Sequence, residues 1–419
     1  MRIAPPPGPF RREFWRSPLR GAWLTSFLGS LLLPLIVLCA LTGFLSHLAY
    51  FPGLGDNAIV GGPGGLDLAF FDWPTAPAWL YGLTQGVHVI SGVMAIPLLL
   101  AKLWSAMPRL FEWPPVRSPA HLLDRLSLAL LVGGSLFVFF TGVFNIQLWY
   151  PWGFGFVSAH YYGAFVFLAG LALHLVTRVP IAIRAFRRSG VLGPLREDRA
   201  HTRPEPAEET GLAPVSPAAP TISRRGLLAT VGAGSIGLGL MAAGQVIGGP
   251  LRALALLAPR GPGSGAGPND FQVNRTFAEA GIDAARADPG AWRLRLGARE
   301  LSRGDLLAMD QRTETLPIAC VEGFTTTQDW TGVPLADLAR AAGVDGAAQV
   351  LVESLERGGS FSSVTLDASQ VANPRALLAL RVNAADLSLD HGFPARVIVP
   401  AAPGVHCTKW VRSLSFTAV

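Results

Sequence analysis

The chain has 419 residues, of which 50% are hydrophobic and only 15% are charged. Because soluble globular proteins carry about 25% charged residues, this composition excludes an ordinary soluble protein, and it excludes a disordered chain more firmly. The formal net charge is +6, but the arginines flank apolar runs and do not alternate with aromatic residues on one face. We therefore expect no nucleic-acid partner.

The apolar residues are concentrated in five long runs. Each of the first four is long enough to cross about 30 Å of hydrocarbon as a helix and has aromatic residues at its ends, whereas the fifth is richer in glycine and alanine. The predicted spans are residues 22–49, 79–103, 126–149, 155–177 and 226–251. They predict a protein that crosses a lipid bilayer several times.

The charges of the connecting loops orient these spans. Five arginines precede the first run, and basic residues return after the second and the fourth. The loop 51–77 instead contains Asp56, Asp67 and Asp72 and has neither lysine nor arginine. Because basic loops stay on the cytoplasmic side, we expect a cytoplasmic N-terminus in a cell membrane. A fifth crossing then places the C-terminal region outside.

Composition divides the chain into six predicted segments. They are a basic cytoplasmic N-terminus (1–21), a four-helix transmembrane domain (22–184), a cytoplasmic linker (185–222), a fifth transmembrane helix (223–251), a second linker (252–268) and an extracytoplasmic domain (269–419). The fifth helix begins with Ser223-Arg224-Arg225-Gly226-Leu227-Leu228, which resembles a twin-arginine export signal. The alternative is a pair of cytoplasmic arginines that follow the charge rule for loops.

The C-terminal region mixes strand and helix patterns. Apolar and charged residues alternate over Trp292–Leu296, as in a half-buried strand. Two further short runs, Gln349–Glu353 and Arg396–Val399, are rich in β-forming residues. Leu335–Ala342 is predicted to form a helix that ends at Gly343. Because these elements do not alternate as regular βαβ units, we expect a mixed α+β domain after an all-α membrane region.

Histidines inside the spans are functional candidates, because a polar ring is costly in hydrocarbon. With a rise of about 1.5 Å per residue, His88 lies about 12 Å and His160 about 8 Å from the outer edge. These similar depths predict that both rings ligate one haem b. His174 lies on the same helix face as His160, so His174 and His47 are candidates for a second haem. The alternative is that His47 is only an interfacial polar residue.

Four helices with histidines in these places resemble the b-type cytochrome subunits of respiratory formate dehydrogenases and hydrogenases. The chain departs from that family at Gly21–Ser26, the inner end of the first helix, which has no histidine for the inner haem. His174 therefore needs another partner, such as His121 from the predicted loop after the second helix. The resemblance implies one haem b or two, and electron exchange with membrane quinone or quinol.

Three separated motifs occur in the C-terminal region. They are Leu316–Gly323 with Cys320, Trp330-Thr331-Gly332, and His391-Gly392-Phe393-Pro394-Ala395-Arg396 followed by Lys409-Trp410. Over about 269–419 they resemble the molybdopterin-binding domain of the sulfite oxidase family. The resemblance implies that Cys320 is catalytic and binds molybdenum, which takes a soft thiolate beside the pterin dithiolene. It assigns the pterin cofactor to Asn274, Arg275, His391, Arg396, Thr408 and Lys409. The alternative treats Arg396 and Lys409 as surface charges and His391 as a turn residue.

The residues that follow Cys320 bear on the substrate. Sulfite-oxidising members of the family have a basic run there, whereas this chain has the acidic and apolar run Val321–Thr325. That run is more similar to the periplasmic methionine sulfoxide reductase subgroup. We expect quinol electrons to pass through haem b to an outward-facing molybdenum centre that reduces a small or protein-bound S- or N-oxide. Three alternatives stay open: a sulfite-type dehydrogenase working in the oxidising direction, a haem electron-transfer protein with an empty molybdopterin fold, and a membrane-anchored binding module without cofactors.

Overall fold

A computed structural model describes residues 4–50, 71–206, 211–260, 267–358 and 362–419. Most of the predicted acidic loop 51–77, with Asp56 and Asp67, lies outside these residues, as do short parts of both predicted linkers. The chain divides into two compact units. Unit 1 comprises Met1–Ala40, Ile90–Phe144 and Ala159–Leu240, and unit 2 comprises Leu41–Val89, Asn145–Ser158 and Met241–Val419.

Five long helices contain the apolar runs. They are α1 (Ala22–Leu48), α2 (Leu80–Leu110), α3 (Pro119–Ile146), α4 (Phe156–Ser189) and α5 (Arg224–Ile247). Each is long and apolar enough to cross a membrane, which agrees with the five predicted runs. Their orientation stays a prediction.

The helix ends differ from the prediction at several places: α2 continues past residue 103 to Leu110, and α5 ends at Ile247, before the predicted residue 251. The third helix begins at Pro119, because Ser118 Oγ accepts the N–H of His121 at 3.1 Å and caps the first turn. The predicted loop position of His121 is therefore wrong, since it lies in the first turn of α3. The fourth helix continues past residue 177 to Ser189 and ends before Gly190, whose φ is +72°.

In unit 1, the first four helices contribute to one apolar cluster. Its buried members are Ile36, Ala95, Val138 and Phe167. Glycines let α3 and α4 approach closely: a Cβ on Gly134 would lie 2.9 Å from Phe167 Cα, and one on Gly170 would lie 2.7 Å from Leu131 N. The arrangement of these helices as a four-helix bundle stays a prediction.

Ten strands and three short helices are described in the C-terminal region. The strands are β1 (Arg293–Leu296), β2 (Arg299–Ser302), β3 (Arg312–Ala319), β4 (Thr325–Pro334), β5 (Ala348–Ser354), β6 (Ser363–Leu366), β7 (Leu377–Val382), β8 (Ala385–Asp386), β9 (Arg396–Ile398) and β10 (Val411–Ala418). The helices are α6 (Arg303–Ala308), α7 (Leu335–Ala341) and α8 (Ala368–Ala372). The predicted strands near 292–296, 349–353 and 396–399 and the predicted helix from 335 are confirmed.

The strands form two sheets. One has the order β2-β1-β10-β5-β6, and the other has the order β3-β4-β7-β8 with β9 also paired to β7. Only β1 and β10 are parallel among the described strand pairs. This confirms the mixed α+β domain without regular βαβ units. The long β3–β4 hairpin matters most for function, because its turn contains Cys320.

Candidate functional site

Cys320 lies in the turn of the β3–β4 hairpin, just after the pairing of Ala319 with Thr325. Its N–H donates to the carbonyl of Phe324 at 2.9 Å, and the N–H of Gly323 donates to the carbonyl of Cys320 at 3.0 Å. Gly323 has a φ of +75°, a conformation that glycine adopts without steric cost. The turn places Cys320 in the wall of a cavity of about 700 Å³ in unit 2.

All the residues that the sequence assigned to molybdenum and its pterin line this one cavity. They are Cys320, Asn274, Arg275, His391, Arg396, Thr408 and Lys409. They come from three separate stretches of the chain, so the fold brings them together. Their individual roles stay predictions, and Cys407, to which the sequence assigned no role, lines the same cavity.

Two buried cations of this cavity have no anionic partner among the residues that the structure describes. Arg396 Nε donates to the carbonyl of Cys407 at 3.2 Å, and Lys409 Nζ donates to the carbonyls of Arg275 at 2.8 Å and Asp390 at 2.7 Å. Burial lowers the pKa of Arg396 to about 10 and, together with the charge of Arg396, holds the pKa of Lys409 well below its usual value. Since an uncompensated buried charge is costly, the pair suits an anion such as the cofactor phosphate.

His391 offers an unused acceptor on the cavity wall. Its Nε2 donates to the carbonyl of Asn269 at 2.9 Å, and its ring stacks on Phe271 with centroids 3.7 Å apart. Burial, followed by the charges of Arg396 and Lys409, lowers the pKa of His391 to about 3, so the ring is neutral. Its buried Nδ1 has no hydrogen-bond partner within the described part of the chain. This nitrogen fits a pterin N–H, so the residues present suit the cofactor.

A carboxyl group lies beside the candidate molybdenum ligand. Cys320 Sγ is 3.2 Å from Glu322 Oε2, and Asn274 Nδ2 donates to the same oxygen. Burial and then the Glu322 charge raise the pKa of Cys320 well above its usual value, and burial raises that of Glu322. Without a metal, the cysteine is therefore a neutral thiol. Metal binding must displace its proton, and Glu322 is adjacent to accept it.

The cavity also has an aromatic wall, which comes from outside the C-terminal region. Tyr50 follows α1, and the other members lie between α3 and the first residues of α4. The aromatic ones are Tyr150, Phe154 and Phe156, and the aliphatic Leu148 and Val157 lie among them. Sequence alone does not assign them to a site, because aromatic residues at the ends of spans are expected at any membrane interface. Glu322, Arg260 and Glu356 of the cavity were likewise not predicted as site residues.

The candidate haem ligands occupy helices of both units. His88 of α2 packs against Gly43 of α1 in unit 2, where a Cβ would lie 2.7 Å from the ring Nδ1. In unit 1, His160 Nδ1 is 2.9 Å from Thr141 Oγ1. That hydroxyl also lies 2.8 Å from the carbonyl of Phe137.

The remaining candidates are also placed on helices. His174 lies on α4 in unit 1, with Lys102 and Arg178 as charged neighbours. His47 is buried in the last turn of α1 and belongs to unit 2. The second haem that these two histidines were predicted to bind stays a prediction.

Comparison with known proteins identifies the C-terminal part. Residues 281–419 match the family model of the oxidoreductase molybdopterin binding domain. Sulfite oxidase of Arabidopsis thaliana is 38% identical over 105 residues, which are 21% of this chain and 26% of the relative. Mitochondrial sulfite oxidase of Mus musculus is 34% identical over 22% of this chain and 18% of the relative. The NADPH nitrate reductase of Beauveria bassiana is 32% identical over 26% of this chain and 14% of the relative.

The matched stretch spans no more than 26% of the length of these three relatives. Among solved structures, the sulfane dehydrogenase SoxCD of Paracoccus pantotrophus is 25% identical and covers 31% of this chain and 39% of that chain, with a TM-score of 0.27. The C-terminal part of the chain is a molybdopterin-binding oxidoreductase domain of the sulfite oxidase type, homologous to sulfite oxidase and nitrate reductase.

Proposed function

We propose that the chain is a membrane-bound molybdenum-cofactor oxidoreductase that takes electrons from quinol and reduces an S- or N-oxide by oxygen-atom transfer. The observation that carries the proposal is the cavity around Cys320. It combines two buried cations without a carboxylate partner among the described residues with a wall of aromatic side chains. Five apolar helices in the same chain support a membrane source of electrons.

Different residues of the cavity bind the cofactor and transfer the proton. Arg396 and Lys409 hold the cofactor phosphate, and His391 Nδ1 accepts from the pterin. The molybdenum that Cys320 would bind supplies the two-electron chemistry by which the oxygen atom is taken from the substrate. Reduction of a sulfoxide to a thioether consumes two electrons and two protons and releases one water. Glu322, next to Cys320 Sγ, holds a proton at the place where one is needed.

The aromatic wall favours a neutral substrate. Tyr150 and Phe154 are each 44% exposed, and aromatic rings make favourable contacts with sulfur-containing groups. Once the cofactor phosphate neutralises Arg396 and Lys409, these two cations no longer attract an anion such as sulfite. Methyl sulfoxides, including methionine sulfoxide, have the matching combination of a polar oxygen and apolar substituents.

A second candidate is sulfite oxidation with electron flow towards quinone. Arg260 and Arg275 also line the cavity and would attract an anionic substrate. Arg275, however, pairs with Glu356, and Arg260 pairs with Glu279 at 3.3 Å. The positive charge that they offer is therefore largely compensated, and reduction of a neutral oxide remains the first proposal.

Metal and haem stoichiometry combined with a substrate panel tests the proposal. We expect the full chain, purified in detergent, to contain about one molybdenum and to show a Soret band. Methionine sulfoxide, dimethyl sulfoxide and trimethylamine N-oxide should re-oxidise the reduced protein, whereas sulfite should not reduce the oxidised one. Molybdenum far below one per chain would favour the electron-transfer protein with an empty fold. Efficient sulfite oxidation would establish the second candidate.

We further propose that His88 and His160 ligate haem b, with the N-terminus cytoplasmic and the molybdenum domain exported through the signal at Arg224-Arg225. Changing His88 to alanine should remove at least half of the haem, because the iron then lacks one of its two imidazoles. The pyridine haemochrome assay on purified protein measures this loss. His201→Ala is the control, since His201 is exposed and pairs with Asp198 at 2.7 Å. Unchanged haem content in His88→Ala would exclude His88 as a ligand.

A further inference from the structure

Two amide side chains hold the Val321–Glu322 peptide in the turn that contains Cys320. The carbonyl of Val321 accepts a hydrogen bond from Gln85 Nε2 at 3.0 Å and another from Asn145 Nδ2 at 3.0 Å. Gln85 lies near the start of α2 and Asn145 lies in the last turn of α3, and both belong to unit 2 with Cys320. The two side chains, here named the amide pair, are only 6% and 3% exposed.

A carbonyl oxygen has two lone pairs, and the amide pair occupies both on Val321. Tyr150 Oη donates to Asn145 Oδ1 at 3.0 Å, which orients the amide so that its N–H group faces Val321. A swing of the Val321 peptide would leave buried donors on both amides without an acceptor. A buried donor without an acceptor is costly, so the peptide is held in one orientation.

Other contacts hold the same turn from the helix ends. Gln245 Nε2 of α5 lies 3.5 Å from the carbonyl of Glu322. Gly323 packs so closely that a Cβ would lie 3.1 Å from Val89 of α2 and 3.5 Å from Ile146 of α3. The sequence matched by the molybdopterin family model starts at residue 281. The amide pair therefore lies outside the matched domain and still contacts its key turn.

We infer that Gln85 and Asn145 are positioning residues, which fix the direction in which Cys320 Sγ projects into the cavity. The inference rests on the proposed function, because it assigns to the membrane helices a part in molybdenum ligation. The physical reason is adjacency: the amide pair clamps the Val321–Glu322 peptide, and the N–H of Gly323 holds the carbonyl of Cys320 at 3.0 Å. The Cys320–Val321 peptide is thus held on both sides, and a rotation of it would tilt the Cα–Cβ bond of Cys320 and move the sulfur.

Near-isosteric variants test the amide pair. Gln85→Glu and Asn145→Asp keep the side-chain volume but replace the donating NH₂ with an oxygen that repels the Val321 carbonyl. We expect full molybdenum content, a shifted Mo(V) electron paramagnetic resonance spectrum, and a kcat for sulfoxide reduction about 10- to 100-fold lower with an artificial dye as electron donor. The KM should change less than about twofold in Gln85→Glu, because Gln85 does not line the cavity.

Gln147→Glu is the matched control, since Gln147 Nε2 also donates to a backbone carbonyl, that of Leu257 at 3.0 Å. It should keep the wild-type spectrum and kcat. Wild-type spectra and kcat in both amide-pair variants would overturn the inference. If Asn145→Asp does not accumulate, Asn145→Ser removes the donor without adding a charge, and an unshifted spectrum in that variant would overturn the inference equally.

The design separates two kinds of failure. A wild-type protein without a Mo(V) signal and without oxide reduction would refute the proposed function, and the inference with it. A normal wild type together with unaltered amide-pair variants would refute the inference alone.

Discussion

Cys320→Ser is expected to lower oxide reduction by at least about 1,000-fold while the haem spectrum stays unchanged. A serine hydroxyl is a hard and weakly acidic ligand, whereas molybdenum beside a dithiolene takes a soft thiolate. The substitution changes one atom in a turn that backbone hydrogen bonds already close. The fold of the domain should therefore survive, and the loss should appear in kcat.

The measurement is the rate of sulfoxide reduction with a reduced dye, combined with molybdenum content and the Soret spectrum of the same preparation. Cys39→Ser is the matched control, because Cys39 lies on α1 in unit 1 and does not line the cavity. Turnover that persists in Cys320→Ser would show that the thiolate assignment is wrong.

Lys409→Met is expected to yield protein with little molybdenum cofactor. Methionine keeps the length of the side chain but removes the buried ammonium group, and loss of one partner of a buried charged contact costs about 2–5 kcal/mol. By the usual conversion this weakens binding by about 30-fold or more. Molybdenum and pterin contents of the purified variant test the expectation, and Arg412→Met, an exposed neighbour that pairs with Glu353 at 2.8 Å, is the control.

The same lysine makes cofactor retention dependent on pH. Because burial holds the pKa of Lys409 well below its usual value, the empty site binds fewer protons than the site that holds a phosphate. Binding therefore takes up a proton, and affinity must fall as the pH rises through the lowered pKa. Wild-type protein should lose molybdenum faster on dialysis at alkaline pH than at neutral pH. Equal loss rates, or full molybdenum content in Lys409→Met, would contradict a role for Lys409 in anchoring the phosphate.

The elements that the sequence predicted well are those with a strong local pattern. Apolar length identified five long helices, alternation identified the strand at 293–296, and Gly343 marked the end of α7. The start of α3 was missed, because it depends on the cap at Ser118 and not on apolar content. Local chemistry can thus extend a helix beyond its hydrocarbon-crossing part.

The residues of the candidate site likewise fall into those with a recognisable sequence pattern and those without one. His391, Arg396, Lys409 and Cys320 belong to motifs that can be recognised from residue type and from their order along the chain. The fold brings all four to one cavity. Tyr150, Gln85 and Asn145 carry no such signal, because their part depends on which distant turn they contact. Only tertiary structure could reveal that Val321, a residue of the motif itself, is held by side chains more than 170 residues earlier in the chain.

The position of β10 in its sheet has a consequence for biogenesis. This strand is the last described element, yet it lies between β1 and β5 and pairs with both. The ribosome therefore completes every other strand of the sheet before the central one exists, so the β1–β2 and β5–β6 pairs cannot be joined until β10 is made. Lys409 and Trp410 come immediately before this strand, so the cofactor pocket also closes last. A domain built in this order is suited to loading of the cofactor after translation.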